Sequence, residues 1–164
     1  MLSTDHHEAD RHGRHELDEH TASFVTFMVA GQMFGIAVTS VQDILTPDVI
    51  ASVPLGPKEV RGLINLRGRI VTVIDVRTRL SLPPLDDSQA HRGMGVTVEN
   101  DGEFYTLLVD SVGDVISLPA QQREPNPTTL EPLWQEIADG VFRTDKTLLV
   151  VLDAARLIAI RAKA

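Results

Sequence analysis

The chain contains one unit written twice. Shifted by 71 positions, Gly31, Phe34, Ile36 and Val38 fall on Gly102, Tyr105, Leu107 and Val109. The same shift brings Val41, Asp43, Ile44 and Pro54 onto Val112, Asp114, Val115 and Pro125. Farther on the shift becomes 78, so that Gly62 and Leu63 meet Gly140 and Val141. Ile70, Val71, Val73, Ile74 and Asp75 then meet Leu148, Leu149, Val151, Leu152 and Asp153. The difference is an insertion between Pro125 and Gly140, around Trp134. Such an ordered series marks a duplicated supersecondary unit. Each copy reads as a hairpin, a short segment, a proline, a strand opened by glycine, a buried strand and an aspartate. About five short strands per copy suit a small curled barrel rather than a large sandwich. Half of a 164-residue chain is too small for a strong core of its own, so the barrels must share a hydrophobic seam. The predicted fold is mainly β, two pseudo-repeated five-stranded barrels with short helices.

Local patterns fill in the unit. Phe24–Ala30 and Met33–Val38 flank Gly31-Gln32, and Met94–Glu99 and Phe104–Val109 flank Asn100-Asp101-Gly102; both are hairpin signals. Val41 to Leu45 fits either a helical turn or a short strand, and Ser52-Val53-Pro54 is expected as an edge strand. From Val60 to Val76, two apolar arms surround Asn65-Leu66-Arg67-Gly68. The second arm, Ile70 to Val76, reads as a strand buried on both faces. Gly62 and Gly68 are expected at bends or where another backbone passes close. Arg77–Leu82 is read as a helical turn, and Val112–Leu118 as a strand ended by Pro119. Leu130–Asp139 is read as a short helix starting near Pro132, with Trp134 and Ile137 inward. Leu148–Leu152 is a buried run, after which Asp153 caps a final helix carrying Leu157, Ile158 and Ile160, with Arg161 and Lys163 at its C-terminal end.

Composition removes whole classes of function. A net charge of −8 and a pI near 5.1 oppose binding to nucleic acid or to an anionic membrane surface. No apolar run is long enough for direct membrane insertion, and charge from Asp5 onward argues against a signal peptide. Without cysteine there is no thiol chemistry, and a cytoplasmic location is expected. Residues 1–21 hold five of the six histidines, with His6, His7, His12, His15 and His20 set among acidic residues. This segment is expected to be a disordered tail, ahead of a folded domain over 22–164. Its spacing matches no metal motif: after His15-Glu16 the next histidine comes one residue too late for HExxH.

Catalytic candidates are equally thin. His91 stands alone in a polar connection, and no nucleophile elbow, P-loop or dinucleotide glycine pattern is present. Asp75, Asp110 and Asp153 end strands, where capping explains them better than acid–base chemistry. No catalytic residue, metal ligand or cofactor is assigned, and the chain does not read as an enzyme. One asymmetry remains: the Asn-Leu-Arg-Gly turn has no counterpart in Gly140-Val141-Phe142-Arg143-Thr144.

Taken together, Val41-Gln42-Asp43-Ile44, the block Val60-Arg61-Gly62-Leu63-Ile64-Asn65-Leu66-Arg67-Gly68, the run Ile70 to Asp75, Val109-Asp110 with Val112, and Leu149 to Asp153 resemble the CheW family of bacterial chemotaxis coupling proteins. The resemblance covers roughly residues 22 to 160. It implies two interlocked SH3-like β-barrels and a non-catalytic adaptor joining chemoreceptor helical tips to the regulatory domain of the histidine kinase CheA, at membrane-associated arrays that also hold other CheW-like domains. Carried over by position, Asp43 and Arg67 would lie together by the receptor groove, joined by an apolar surface of Val41 and Ile44. Gly62, Gly68, Asp75, Gly140 and Asp153 would be structural. Asp43 is one methylene shorter than the family's usual glutamate, Thr72 replaces a common proline, and the His-rich tail lies outside the pattern. Two other readings stay open: a small-ligand or metal-binding β-barrel with Arg67 as anion clamp, and a CheW-like adaptor serving a pathway other than motility.

Overall fold

A computed structural model of the chain describes residues 20–47, 49–83, 93–145 and 147–160. The tail through Glu19, His91, Arg161 and Lys163 lie outside the described residues. The strands are β1 (Thr21–Val29), β2 (Gln32–Ala37), β3 (Val41–Leu45), β4 (Val60–Leu66), β5 (Arg69–Asp75), β6 (Met94–Asn100), β7 (Glu103–Val109), β8 (Ser111–Pro119), β9 (Ala138–Arg143) and β10 (Leu148–Leu152). Among the described residues there are three short helices, α1 (Val76–Arg79), α2 (Pro132–Ile137) and α3 (Ala154–Ile158). The segment Val41–Leu45, open between helix and strand in the sequence, is a strand entered through a 3-10 turn at Val38–Ser40.

The strands form two five-stranded sheets, in the orders β8-β1-β2-β10-β9 and β3-β6-β7-β5-β4. These orders match position for position under the sequence repeat: β8 corresponds to β3, β1 to β6, β2 to β7, β10 to β5 and β9 to β4. The copies, however, are not the barrels. The β1–β2 hairpin of the first copy sits among β8, β9 and β10 of the second, and the β6–β7 hairpin of the second sits among β3, β4 and β5 of the first. The two barrels thus exchange hairpins. Each exchanged hairpin joins its host by a parallel pairing: Phe34 opposite Val150 in one barrel, and Tyr105 opposite Thr72 in the other.

Exchange gives the core its shape. The largest cluster is the seam, where Phe27, Val29, Phe34 and Ile36 of one sheet meet Ile74, Val96, Val98 and Leu107 of the other. Smaller clusters fill the barrel interiors: Phe24, Phe142, Leu149 and Val151 in the first, Ile64, Val71 and Val73 in the second. Trp134 on α2 lays its ring edge against Phe34 and donates from Nε1 to the Leu80 carbonyl, while Ile137 is buried. Two expectations need correction. Ile70 is 66% exposed although its neighbours Val71, Val73 and Ile74 are buried. It lies on the face of β5 that carries Thr72 and Ile74, one residue into the strand from the β4–β5 turn. Ser52–Pro54 forms no strand; only Ala51 bridges to Leu63.

That bridge closes the second barrel, and its twin, Glu124 to Val141, closes the first. At both closures the chain passes against a glycine. A Cβ on Gly62, at φ 154°, would overlap the Ala51 carbonyl oxygen, and one on Gly140, at φ 96°, would come within 2.9 Å of the Glu124 carbonyl oxygen. The aspartates at the ends of β5 and β10 cap the helices that follow. Asp75 accepts from the Arg77 and Thr78 N–H groups, and Asp153 accepts from the Arg156 N–H.

Candidate functional site

The site is built on an irregularity in β3. Opposite β6, Val41 pairs with Val98 but Asp43 pairs with Thr97, leaving Gln42 as an extra residue in a bulge. A bulge shifts the alternation of faces, re-aiming every side chain beyond it. Val41 and Ile44 therefore share the seam face, opposite Val98 and Val96, whereas Asp43 and Leu45 turn toward the barrel interior, opposite Thr97 and Gly95. Val41 is half-buried against the seam core and Ile44 is 41% exposed.

Arg67 reaches Asp43 from the β4–β5 turn. Arg67 and Gly68 both have positive φ, 54° and 83°, which marks a type I′ hairpin loop. Asn65 Oδ1 accepts the Gly68 N–H at 2.9 Å and braces the loop. Arginine is an uncommon choice for a left-handed position that normally goes to Asn, Asp or Gly. The two-residue loops of the β1–β2 and β6–β7 hairpins, Ala30-Gly31 and Asp101-Gly102, place shorter side chains at the same left-handed position. From this loop Arg67 Nη2 lies 3.2 Å from Asp43 Oδ2, with the arginine side chain 81% exposed and the aspartate 26%. The other Asp43 oxygen, Oδ1, accepts the Ile44 N–H at 2.9 Å. One carboxylate, fixed by the backbone, thereby steers a guanidinium whose remaining donors face solvent.

Sequence reasoning missed two neighbours. Arg69, the first residue of β5, stacks its guanidinium 4.4 Å above the Phe104 ring. Together with Gln42, Asp43, Leu66, Arg67, Val71 and Thr97, these residues line a cleft of about 320 Å³ at the mouth of the second barrel. Alternation could have placed Arg69 on the face of Val71 and Val73, but no pattern announces its ring partner.

Asp110, grouped in the sequence with the capping aspartates, does something else. It accepts both Nε and Nη2 of Arg77, at 2.9 and 2.6 Å, and the Ala30 N–H at 2.8 Å. It thereby ties α1 to the first hairpin and to the end of β7. Burial alone would raise the Asp110 carboxyl. The Arg77 hydrogen bonds, the Ala30 N–H and the Arg77 charge outweigh it and hold the group below the ordinary aspartate range. Arg77 is raised in turn, chiefly by its hydrogen bond to Asp110.

Among the described residues, no group of three or more His, Asp or Glu side chains is placed to hold a metal ion, and no helix is long and apolar enough to cross a membrane. What the fold and site define is a two-barrel β domain with a braced, outward-facing arginine at one barrel mouth. The chain matches the CheW-like domain over residues 23–162, and it belongs to that family. It is 25% identical over 143 residues to the probable chemotaxis protein CheW of Rhizobium etli, covering 87% of this chain and 91% of the relative. The chemotaxis protein CheW of Klebsiella aerogenes is 29% identical over 137 residues, covering 83% and 81%. In three dimensions the chain is similar to the scaffolding protein TtCheW from Thermoanaerobacter tengcongensis, at a TM-score of 0.76 and 25% identity, covering 87% of this chain and 95% of that one.

Proposed function

We propose that this chain is a non-catalytic adaptor that couples the cytoplasmic helical tips of chemoreceptors to the regulatory domain of CheA. It would act in the cytoplasm, at receptor arrays it reaches through its partners. The observation that carries this reading is the Asp43–Arg67 pair: a guanidinium braced on one side by a carboxylate and open on the other. An exposed ion pair contributes only about 0–1 kcal/mol to stability. Setting an arginine in a left-handed turn to make such a pair gains little for the fold and much for a surface that must present a directed cation. Ile44, across β3 from this cation, and the exposed Ile70 supply apolar area beside it. In this reading Val41 supports Ile44 from the seam rather than touching the partner broadly.

The test is a titration of the protein with a receptor tip fragment and with the CheA regulatory domain, singly and together. Saturable binding to each, with a ternary complex, is expected. Binding to neither would overturn the adaptor reading. An adaptor in a pathway other than motility would give the same binding with a different cognate receptor and kinase.

A further inference from the structure

We infer that the mouth of the second barrel is a binding site for a small carboxylate with an apolar body, aryl or branched-alkyl. The cleft there, about 320 Å³, is within the range of sites that enclose small organic ligands. Its lining is divided by chemistry. Leu66, Val71 and Phe104 form an apolar floor continuous with the barrel interior, where Val71 is fully buried. Two arginines stand at the rim. Arg67 offers the donors left over from its pair with Asp43. Arg69 spends only the face of its guanidinium on Phe104, so its in-plane N–H donors remain available, and no described residue accepts from them.

Charge favours an anion. Two cations and the single carboxylate of Asp43 leave the rim positive on a chain whose formal charge is −8. A carboxylate meeting Arg69 in plane would gain charge-assisted hydrogen bonds while its apolar body covers the floor. A third group points the same way. Thr97, only 1% exposed, lines the cleft and shares a 2.8 Å hydrogen bond with Thr106 Oγ1. That bond uses one of the pair's two hydroxyl hydrogens, and no described acceptor takes the other. With Thr106 as the donor in that bond, the spare proton lies on Thr97, at the floor of a cationic cleft, where it suits a second oxygen acceptor on the ligand.

The site shares Arg67 with the surface proposed for the receptor, but its test uses neither receptor nor kinase, so the two readings fail separately. The test is an NMR titration of the full chain with phenylacetate and with isovalerate, following backbone amides and the arginine Nε–H signals. Phenethylamine serves as the charge-reversed probe. The expected result is saturable shifts centred on Gln42, Asp43, Arg67, Arg69, Thr97 and Phe104 for at least one carboxylate, and none for the amine. Arg69→Gln should weaken binding about tenfold. Thr97→Val, which keeps the shape but leaves the buried Thr106 hydroxyl without its partner, should weaken binding several-fold and lower the melting temperature as well, whereas Arg69→Gln should leave the melting temperature unchanged. No saturable shift with either carboxylate, shifts centred elsewhere, or equal binding of phenethylamine would overturn the site.

Discussion

Arg67 and the glycine beside it show how differently single positions in one short block are constrained. Removing the Arg67 side chain leaves Asp43 with its Ile44 N–H and near enough to water to stay solvated. Arg67→Ala should therefore change stability by less than about 1 kcal/mol while lowering receptor-tip affinity at least about tenfold. Thermal unfolding and a binding titration on the same sample check both halves. The glycines of the block divide by cause. Gly68 has φ 83° but open space around it, so Gly68→Ala meets only backbone strain, about 1 kcal/mol. Gly62 lies against the Ala51 carbonyl, and Gly62→Ala must break the closure of the barrel, costing upward of about 3 kcal/mol. Similar losses for the two variants in urea unfolding would contradict this division. The Asp43–Arg67 pairing was implied by the family resemblance, and both glycines were legible in the sequence. The faces of β3 were not, because a bulge at Gln42 interrupts the alternation from which faces are read.

Among the elements, the strands themselves were legible from apolar runs and turn residues, but their partners were not. The repeat makes the β1–β2 and β6–β7 hairpins alike, so each fits either barrel on pattern alone. Which barrel a hairpin joins is decided by the seam, a tertiary property without a local signal. Ser52–Pro54 was misread for a related reason: a proline-bearing segment can close a barrel through the single Ala51 bridge without continuing as a strand. The node at Asp110 is another feature that appears only when elements meet. Because its folded carboxyl titrates below its unfolded counterpart, its contribution is complete above the ordinary aspartate value, near pH 4, and is lost as pH falls through the lower folded value. Asp110→Asn should lower stability at neutral pH by about 1–3 kcal/mol and flatten the fall in stability below pH 4. Denaturant midpoints measured across that range test it, and an unchanged acid profile would remove Asp110 from the account. The helix caps are more modest. Asp75→Ala should cost about 1 kcal/mol, most of it recovered by Asp75→Asn.

At the scale of the whole molecule, exchanged hairpins mean that neither barrel can be completed without both sequence copies. Unfolding should then be a single transition. Phe34→Ala, at the centre of the seam, should destabilise by about 3–5 kcal/mol. Hydrogen exchange should speed up in β4–β5 and β9–β10 alike, and loss of protection in one barrel alone would argue for independent halves. A rigid body of this kind holds surfaces at fixed separations, which is what an adaptor needs, and it gives Arg67 a stable platform. In the adaptor proposed above, this platform would join two partners at once. The most direct measurement is a calorimetric titration of the receptor tip into the protein preloaded with the CheA regulatory domain, run with the wild type and with Arg67→Ala. A ternary complex is expected for the wild type, and for the variant retained kinase-domain binding with receptor binding weakened about tenfold or more. Receptor binding that is unaffected by Arg67→Ala, or excluded by the kinase domain, would contradict it.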